Sequence, residues 1–191
     1  TSSQQADDAL LVVLSSWRRE LPWQHAVSIA FPAHRTLQKT LPRAAMTLRE
    51  SEQSAWIASA MSQQLEMSPA SFCFDYHSAD EQGHWNVTAA QQQDVLRLQR
   101  LAKILRLQIA AITPDACALQ AFLPYLEMGD AVLVWRDQAQ WLWASREGWG
   151  YEPQDHAASP LSLGERLGVE PQRLVHCMAQ AGDSHGFDPW E

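Results

Sequence analysis

Apolar residues recur along this chain at two spacings, and these spacings predict a succession of helices and strands. In the first helical segment Leu10, Leu14 and Trp17 fall on one side of a 3.6-residue period. A capping box, Thr47-x-x-Glu50, is expected at the start of the second helix. The helices are predicted at residues 7–20, 47–67, 91–107 and 113–126.

Shorter apolar runs, bounded by Pro, Gly or charged residues, predict strands. They lie at residues 25–31, 35–41, 72–77, 85–90, 108–112, 131–135, 140–145 and 173–178. Polar turns at 80–83 and 136–139 predict two hairpins. After Gly148 we expect a loop and one helical turn at 163–167. This order is typical of an α/β (α+β mixed) protein.

The charge balance excludes some classes of function. The chain has 191 residues, enough for one domain or two small ones, and a formal net charge of −8. An acidic surface repels phosphate backbones, so direct nucleic-acid binding is not expected. The basic series Arg97, Arg100, Lys103 and Arg106 is interpreted as the solvated side of one helix. No apolar run is long enough to predict a membrane span.

Three cysteines without CxxC spacing indicate a reducing cytoplasm rather than a disulfide framework. Cys73, His77 and His84 lie on one predicted hairpin and could approach each other, but a zinc site would need a fourth ligand, so a buried thiol with exposed imidazoles is the favoured interpretation. No metal is expected. The start at Thr1, without Met or signal-peptide character, indicates a fragment that lacks its N-terminus.

Catalytic motifs are scarce in this sequence. Gly182–Gly186 matches G-x-S-x-G, but Pro189 breaks the helix that a nucleophilic Ser184 would need, so a polar loop is expected and a hydrolase is a minor alternative. Of nine tryptophans, Trp135, Trp141 and Trp143 cluster on one predicted hairpin. Core packing is favoured for them over a ligand platform.

Six segments together carry a family resemblance. They read AVSIAFPAHRTLQKTLP (26–42), FDYHS (74–78), NVTAAQ (86–91), AITPDACALQAFLPYL (111–126), WRDQAQWLWASREGW (135–149) and FDPWE (187–191). In this ordered series the chain resembles the PilM-like family of actin-like proteins from type IV pilus and competence machines. The resemblance implies a partial actin-like ATPase (ribonuclease H-like) fold. Its first lobe would be 1–126, with an inserted strand-helix-strand-strand subdomain at 46–107, and a reduced second lobe would be 127–191.

The resemblance also implies a binding function. PilM-like proteins are cytoplasmic, peripheral to the inner membrane, and bind the N-terminal segment of a PilN/HofN-like bitopic membrane protein. The expected role is a scaffold that supports use of extracellular DNA and reaches the membrane only through its partner; a homo-oligomer is left open. The docking residues we expect are Phe31, Pro32, Arg35, Asp75, Tyr76 and Asn86.

ATP and Mg²⁺ belong to the wider family but are not expected here. The resemblance implies two phosphate-contacting hairpins, the first of which would precede Thr1. The second would be residues 134–140, where Trp135 takes the place of the family's metal-associated Asp and no Gly follows. We therefore expect no cofactor and no enzyme activity. The alternative is an actin-class ATPase with nucleotide-dependent conformational switching.

Overall fold

The computed structural model describes residues 2–79, 83–137 and 140–177. Its packing divides the chain into two compact units. The first unit consists of residues 1–29 and 35–112, and the second consists of residues 30–34 and 113–191. Each unit has its own buried cluster of apolar side chains.

Most of the predicted elements form in the first unit. The helices and strands are α1 (Ser2–Arg18), β1 (Ala26–Phe31), β2 (Thr36–Pro42), α2 (Glu50–Leu65), β3 (Phe72–Ser78), β4 (His84–Gln91), α3 (Gln92–Ile104) and β5 (Gln108–Pro114). Two 3₁₀ turns, Ala33–Arg35 and Pro69–Ser71, lie between them. Strands β1 and β5 form a two-stranded sheet and cross the sequence boundary between the units.

Strands β2, β4 and β3 form a three-stranded antiparallel sheet that packs on α2. The side facing α2 carries the core of this unit, which includes Leu41, Ile57, Met61, Phe72 and Val87. Because side chains alternate across a strand, the other side carries mainly polar residues. The predicted β3–β4 hairpin is confirmed. The sheet also includes β2, which precedes the predicted start of the insertion at residue 46.

The second unit is built around a four-stranded sheet in the order β8-β7-β6-β9. Its helices and strands are α4 (Asp115–Ala118), β6 (Val132–Arg136), β7 (Gln140–Ala144), β8 (Trp149–Pro153), α5 (Pro160–Leu167) and β9 (Leu174–Cys177). Three 3₁₀ segments, Leu119–Tyr125, Gln154–His156 and Pro171–Arg173, connect them. Strands β6, β7 and β8 are antiparallel neighbours, whereas β9 runs parallel to β6.

Both faces of this sheet are buried. One face packs on α4 and the following 3₁₀ segment, through Leu119, Leu123, Leu133, Leu142 and Ala144. The other packs on α5, through Val132, Val134, Trp141 and Leu163. Trp141 is 1% exposed, and its indole Nε1 donates to the Ala157 carbonyl at 2.7 Å. The core-packing interpretation of the tryptophan cluster is therefore confirmed for Trp141, while Trp143 packs partly buried beside the same core.

Three local predictions are wrong. Helix α2 begins at Glu50 and is capped by the Glu52 carboxylate, which accepts from the Arg49 amide at 2.9 Å, so the Thr47 capping box does not form. The helix expected to reach residue 126 becomes 3₁₀ after Ala118, with Pro124 inside the 3₁₀ segment. Strand β8 forms where a loop was expected. The lobe boundaries at 126 and 127 stay a prediction; the compact units meet near residue 112.

We predict that Gly150→Ala destabilises the protein, because a Cβ at this position would lie 2.8 Å from Trp143 Cζ2 in the crowded β7–β8 pair. Overpacking of this kind costs about 1–3 kcal/mol. Gly148→Ala is the matched control, since a Cβ there meets nothing within 4 Å. Urea unfolding measures both variants, and equal stabilities would contradict the packing argument.

Candidate functional site

The turn end of the β6–β7 hairpin is the place where the family resemblance expects a phosphate-contacting loop. The Asp137 amide donates to the Gln140 carbonyl at 3.0 Å and closes the hairpin. The Gln140 side chain is 7% exposed, and its Oε1 lies 3.1 Å from Nδ1 of His34. The His34 ring in turn stands edge-on to Tyr151, with the ring centroids 6.1 Å apart. The segment 30–34 is thus fastened to the start of β7.

Asp115 fastens the same segment to the start of α4. Its Oδ1 accepts the amide of Ala33 at 2.9 Å and the amide of Ala116 at 2.7 Å. Burial raises the pKa of the Asp115 carboxyl, and the nearby Asp137 raises it further. The two amide hydrogen bonds and His34 oppose that shift. Asp115 is therefore an acid in the first turn of α4, and it also bridges two chain segments.

The strand ends beside this turn are also engaged. The Arg136 guanidinium lies 5.6 Å from the Trp141 ring centroid and 3.4 Å from Gln154 Oε1. The Gln154 amide donates to the Asp137 carbonyl. Trp135 lies opposite Leu142 and packs against the core below it rather than standing at the turn. The Arg136 and Gln154 side chains and the Asp137 carbonyl therefore already have partners within the second unit.

The six predicted docking residues fall into both units. Phe31 is buried and Pro32 is half-buried in the second unit. Arg35, in the first unit, is exposed and pairs with Asp94, its Nη2 2.7 Å from Oδ1. Each residue is thus placed within its own unit, and the groove that would join them stays a prediction.

The remaining three docking residues lie on the β3–β4 hairpin, on two different faces. Asp75 pairs with Thr88, and Asn86 pairs with His77, so Asp75 and Asn86 share the polar face. Asn86 accepts the Thr40 hydroxyl at 3.0 Å. Tyr76 points to the α2 face, where its ring meets the Trp85 ring with the centroids 5.2 Å apart. The structure therefore brings Asp75 and Asn86 together and turns Tyr76 away from them.

Other candidate chemistry finds no support in the described chain. Among the described residues no group of three or more His, Cys, Asp or Glu side chains could hold a metal ion. The cysteines Cys73, Cys117 and Cys177 are free and partly buried, and burial raises the pKa of each thiol. The G-x-S-x-G motif at 182–186 lies outside the described residues. No described helix has the length and apolar character that crossing a membrane requires.

The contacts of His34 and Gln140 were missed by sequence reasoning. The two residues are 106 positions apart, so no local pattern connects them. One signal was available: Gln140 opens an otherwise apolar strand, QWLWA, and a buried amide of this kind needs a partner.

Comparison with known proteins finds a curated relative and solved structures to which this chain is similar. The DNA utilization protein HofM of Escherichia coli (strain K12) is 45% identical over 182 residues, which cover 95% of this chain and 68% of the relative. The cytoplasmic domain of EpsL, an inner membrane component of the type II secretion system of Vibrio cholerae, superposes with a TM-score of 0.60 at 11% identity, covering 92% of this chain and 72% of that one.

A PilM–PilN type IV pilus biogenesis complex matches with a TM-score of 0.54 at 12% identity, covering 83% of this chain and 53% of that chain. No family model matches the sequence. At these identities the two structures establish the fold alone. The predicted mixed α/β fold of the actin-like, PilM type is confirmed.

We predict that Asp115→Ala lowers the free energy of unfolding by about 1–3 kcal/mol, because two amides lose their acceptor. Asp115→Asn keeps the accepting oxygen and removes the partly buried charge, so its free energy of unfolding is expected to match or exceed that of the natural protein at neutral pH. Urea unfolding of the three proteins measures the difference. An Asn variant as unstable as the Ala variant would contradict this role.

The raised pKa of Asp115 has a definite sign in a pH series. The folded protein holds this proton more tightly than the unfolded chain does, so the contribution of Asp115 to stability is greatest at low pH. It declines as the pH rises from the ordinary carboxyl pKa through the raised one. Asp115→Asn is expected to lack this decline. The prediction would be wrong if the free energies of unfolding of the two proteins changed with pH in the same way.

Proposed function

The chain belongs to the HofM family, and from this premise we propose that it is a non-catalytic component of a type IV pilus-like assembly that serves DNA uptake. The observation that carries the proposal is the 45% identity to HofM, a DNA utilization protein, across 95% of this chain. The fold shared with PilM supports the pilus-like character of the assembly.

The partner in this proposal is the N-terminal segment of a PilN/HofN-like bitopic membrane protein. A solved PilM–PilN complex with the same fold supports it, although this chain spans only 53% of the matched chain. The proposed contacts are Phe31, Pro32, Arg35, Asp75, Tyr76 and Asn86. Asp75 and Asn86 are the best placed of them, because they share the polar face of the β2-β4-β3 sheet.

The same proposal places the protein in the cytoplasm, at the inner face of the inner membrane. The fold is shared with the cytoplasmic domain of EpsL, an inner membrane component, which supports a position of this kind. The bitopic partner would hold the chain there. Homo-oligomerisation stays an open alternative within this arrangement.

The structure of the β6–β7 hairpin supports a scaffold that neither binds nor hydrolyses ATP. The Asp137 amide closes the turn by donating to the Gln140 carbonyl, so it is not free to donate to a phosphate. Trp135 packs partly buried against the core, and its indole has no oxygen that could bind Mg²⁺. The actin-class ATPase remains the competing function, and nucleotide binding decides between them.

We predict that a synthetic peptide of the partner's N-terminal segment binds this chain, and that Asp75→Ala combined with Asn86→Ala weakens binding about tenfold. Isothermal titration calorimetry measures both affinities. Asp155→Ala, which removes an exposed acid from the second unit, is the matched control and is expected to bind like the natural protein. Absence of peptide binding, or equal weakening by the control, would contradict the docking proposal.

We further predict that Mg-ATP leaves the melting temperature unchanged. A ligand that binds the folded state at 100 times its dissociation constant would add about 2.7 kcal/mol of stability, so binding would be visible. Differential scanning fluorimetry with Mg-ATP and Mg-ADP measures this. A clear rise in melting temperature would support the ATPase instead.

A further inference from the structure

One end of the first unit carries a positive charge that is opposite in sign to the rest of the molecule. The chain as a whole has a net charge of −8. Residues 17–25 and 100–107, however, contain Glu20 as their single acid. Four of their basic side chains are exposed to solvent: Arg19, Arg100, Lys103 and Arg106. The local excess of cations is therefore a property of these two segments.

The structure brings the two segments together. The Arg18 guanidinium donates from Nε to the Leu105 carbonyl at 2.9 Å, and from Nη2 to the Trp23 carbonyl at 2.8 Å. It thereby joins the end of α1, the loop after it and the end of α3. The Arg106 guanidinium lies 5.6 Å from the centroid of the Trp23 ring. The four cations thus lie on neighbouring segments of one unit.

Large apolar side chains are exposed among these cations. Trp23 is 76% exposed and Ile104 is 56% exposed. A tryptophan is usually largely buried, so an indole left this open on a charged surface calls for an explanation. We name this surface the basic end and define it as Arg19, Trp23, Arg100, Lys103, Ile104 and Arg106.

None of the four cations forms an ion pair with a described residue. Ion pairs in the described part of the molecule engage other basic residues, such as Arg97, which pairs with Asp7. Arg19 donates to a backbone carbonyl, that of Ser15, at 3.3 Å. The interpretation of Arg97, Arg100, Lys103 and Arg106 as one uniform solvated series is therefore incomplete, because Arg97 is engaged and the other three are available.

We propose that the basic end rests directly on an anionic lipid bilayer. Basic side chains bind the phosphate groups of anionic lipids. Each Lys or Arg near the surface raises the affinity of the protein for the membrane about fivefold. Indole rings favour the interfacial depth, where their apolar body and N–H are both accommodated. Ile104 adds apolar area that a bilayer buries and that contact with a nucleic-acid backbone does not require. The acidic remainder of the chain orients the basic end toward the surface.

This contact does not depend on docking of the bitopic partner. It also departs from the expectation that the chain reaches the membrane only through that partner.

Sedimentation of the purified chain with vesicles tests the proposed lipid contact without any partner present. Vesicles of phosphatidylglycerol mixed with phosphatidylcholine are expected to bind the chain, and pure phosphatidylcholine vesicles are not. Added salt is expected to weaken the binding, because it screens exposed charges.

Matched variants locate the contact. Arg100→Gln combined with Lys103→Gln is expected to weaken vesicle binding about 30-fold, from about fivefold for each charge. Lys39→Gln combined with Arg146→Gln changes the net charge equally elsewhere, and is expected to have little effect. Trp23→Ala removes the indole proposed to enter the membrane interface and is expected to weaken vesicle binding. Tyr125→Ala, which removes another exposed aromatic ring, is its control. Circular dichroism melts confirm that every variant is folded.

Three outcomes would overturn the proposal. The first is no binding to phosphatidylglycerol vesicles at low salt. The second is an equal loss for the control pair, which would mean that overall charge alone drives binding. The third is binding to a DNA oligonucleotide that depends on Arg100 and Lys103 while vesicles are not bound, which would assign the basic end to nucleic acid.

Discussion

The burial of both faces of the β8-β7-β6-β9 sheet is the constraint on which the second unit depends. A strand in such a sheet cannot alternate apolar and polar residues, so β7 reads QWLWA, with Trp141 on one face and Leu142 on the other. The tryptophans of the β6–β7 hairpin are therefore required for packing on the two faces of the sheet. Polar groups at the strand ends must find partners within the unit, as Gln140 does with His34.

That constraint also shapes the site. A loop that receives phosphate needs open backbone amides and small residues. The Asp137 amide instead closes the hairpin, and the segment 30–34 is held against this end by Asp115 and Gln140. Structural hydrogen bonds thus occupy the turn of the β6–β7 hairpin, where the family resemblance implies a phosphate-contacting loop. A family member that keeps the fold and fills this place serves better as a surface for other molecules, which is the role proposed here.

Sequence periodicity predicted the elements whose burial is one-sided. Helix α3 and the β3–β4 hairpin were recovered because their apolar positions repeat at a fixed period. Strand β8 was missed because WGYEP contains Gly and Pro, and its Gly150 is there to admit the Trp143 ring, a contact between strands. The bridge from Asp115 to Ala33 spans 82 positions and leaves no local trace. The docking residues came from the family resemblance, and no periodic pattern supplies them.

The hydrogen bond between Ala33 and Asp115 has a consequence for how this protein could change over time. It holds the Ala33 amide 2.9 Å from Asp115 Oδ1, and these residues lie close in sequence to the points at which the chain leaves and re-enters the second unit. A loop in a stretch whose ends are held together can be lengthened or shortened at little cost, since loop-closure entropy grows only with the logarithm of length. Changes of loop length within residues 36–107 therefore leave this closure in place, whereas exchange of the whole stretch would also remove the contact between Arg18 of α1 and the Leu105 carbonyl.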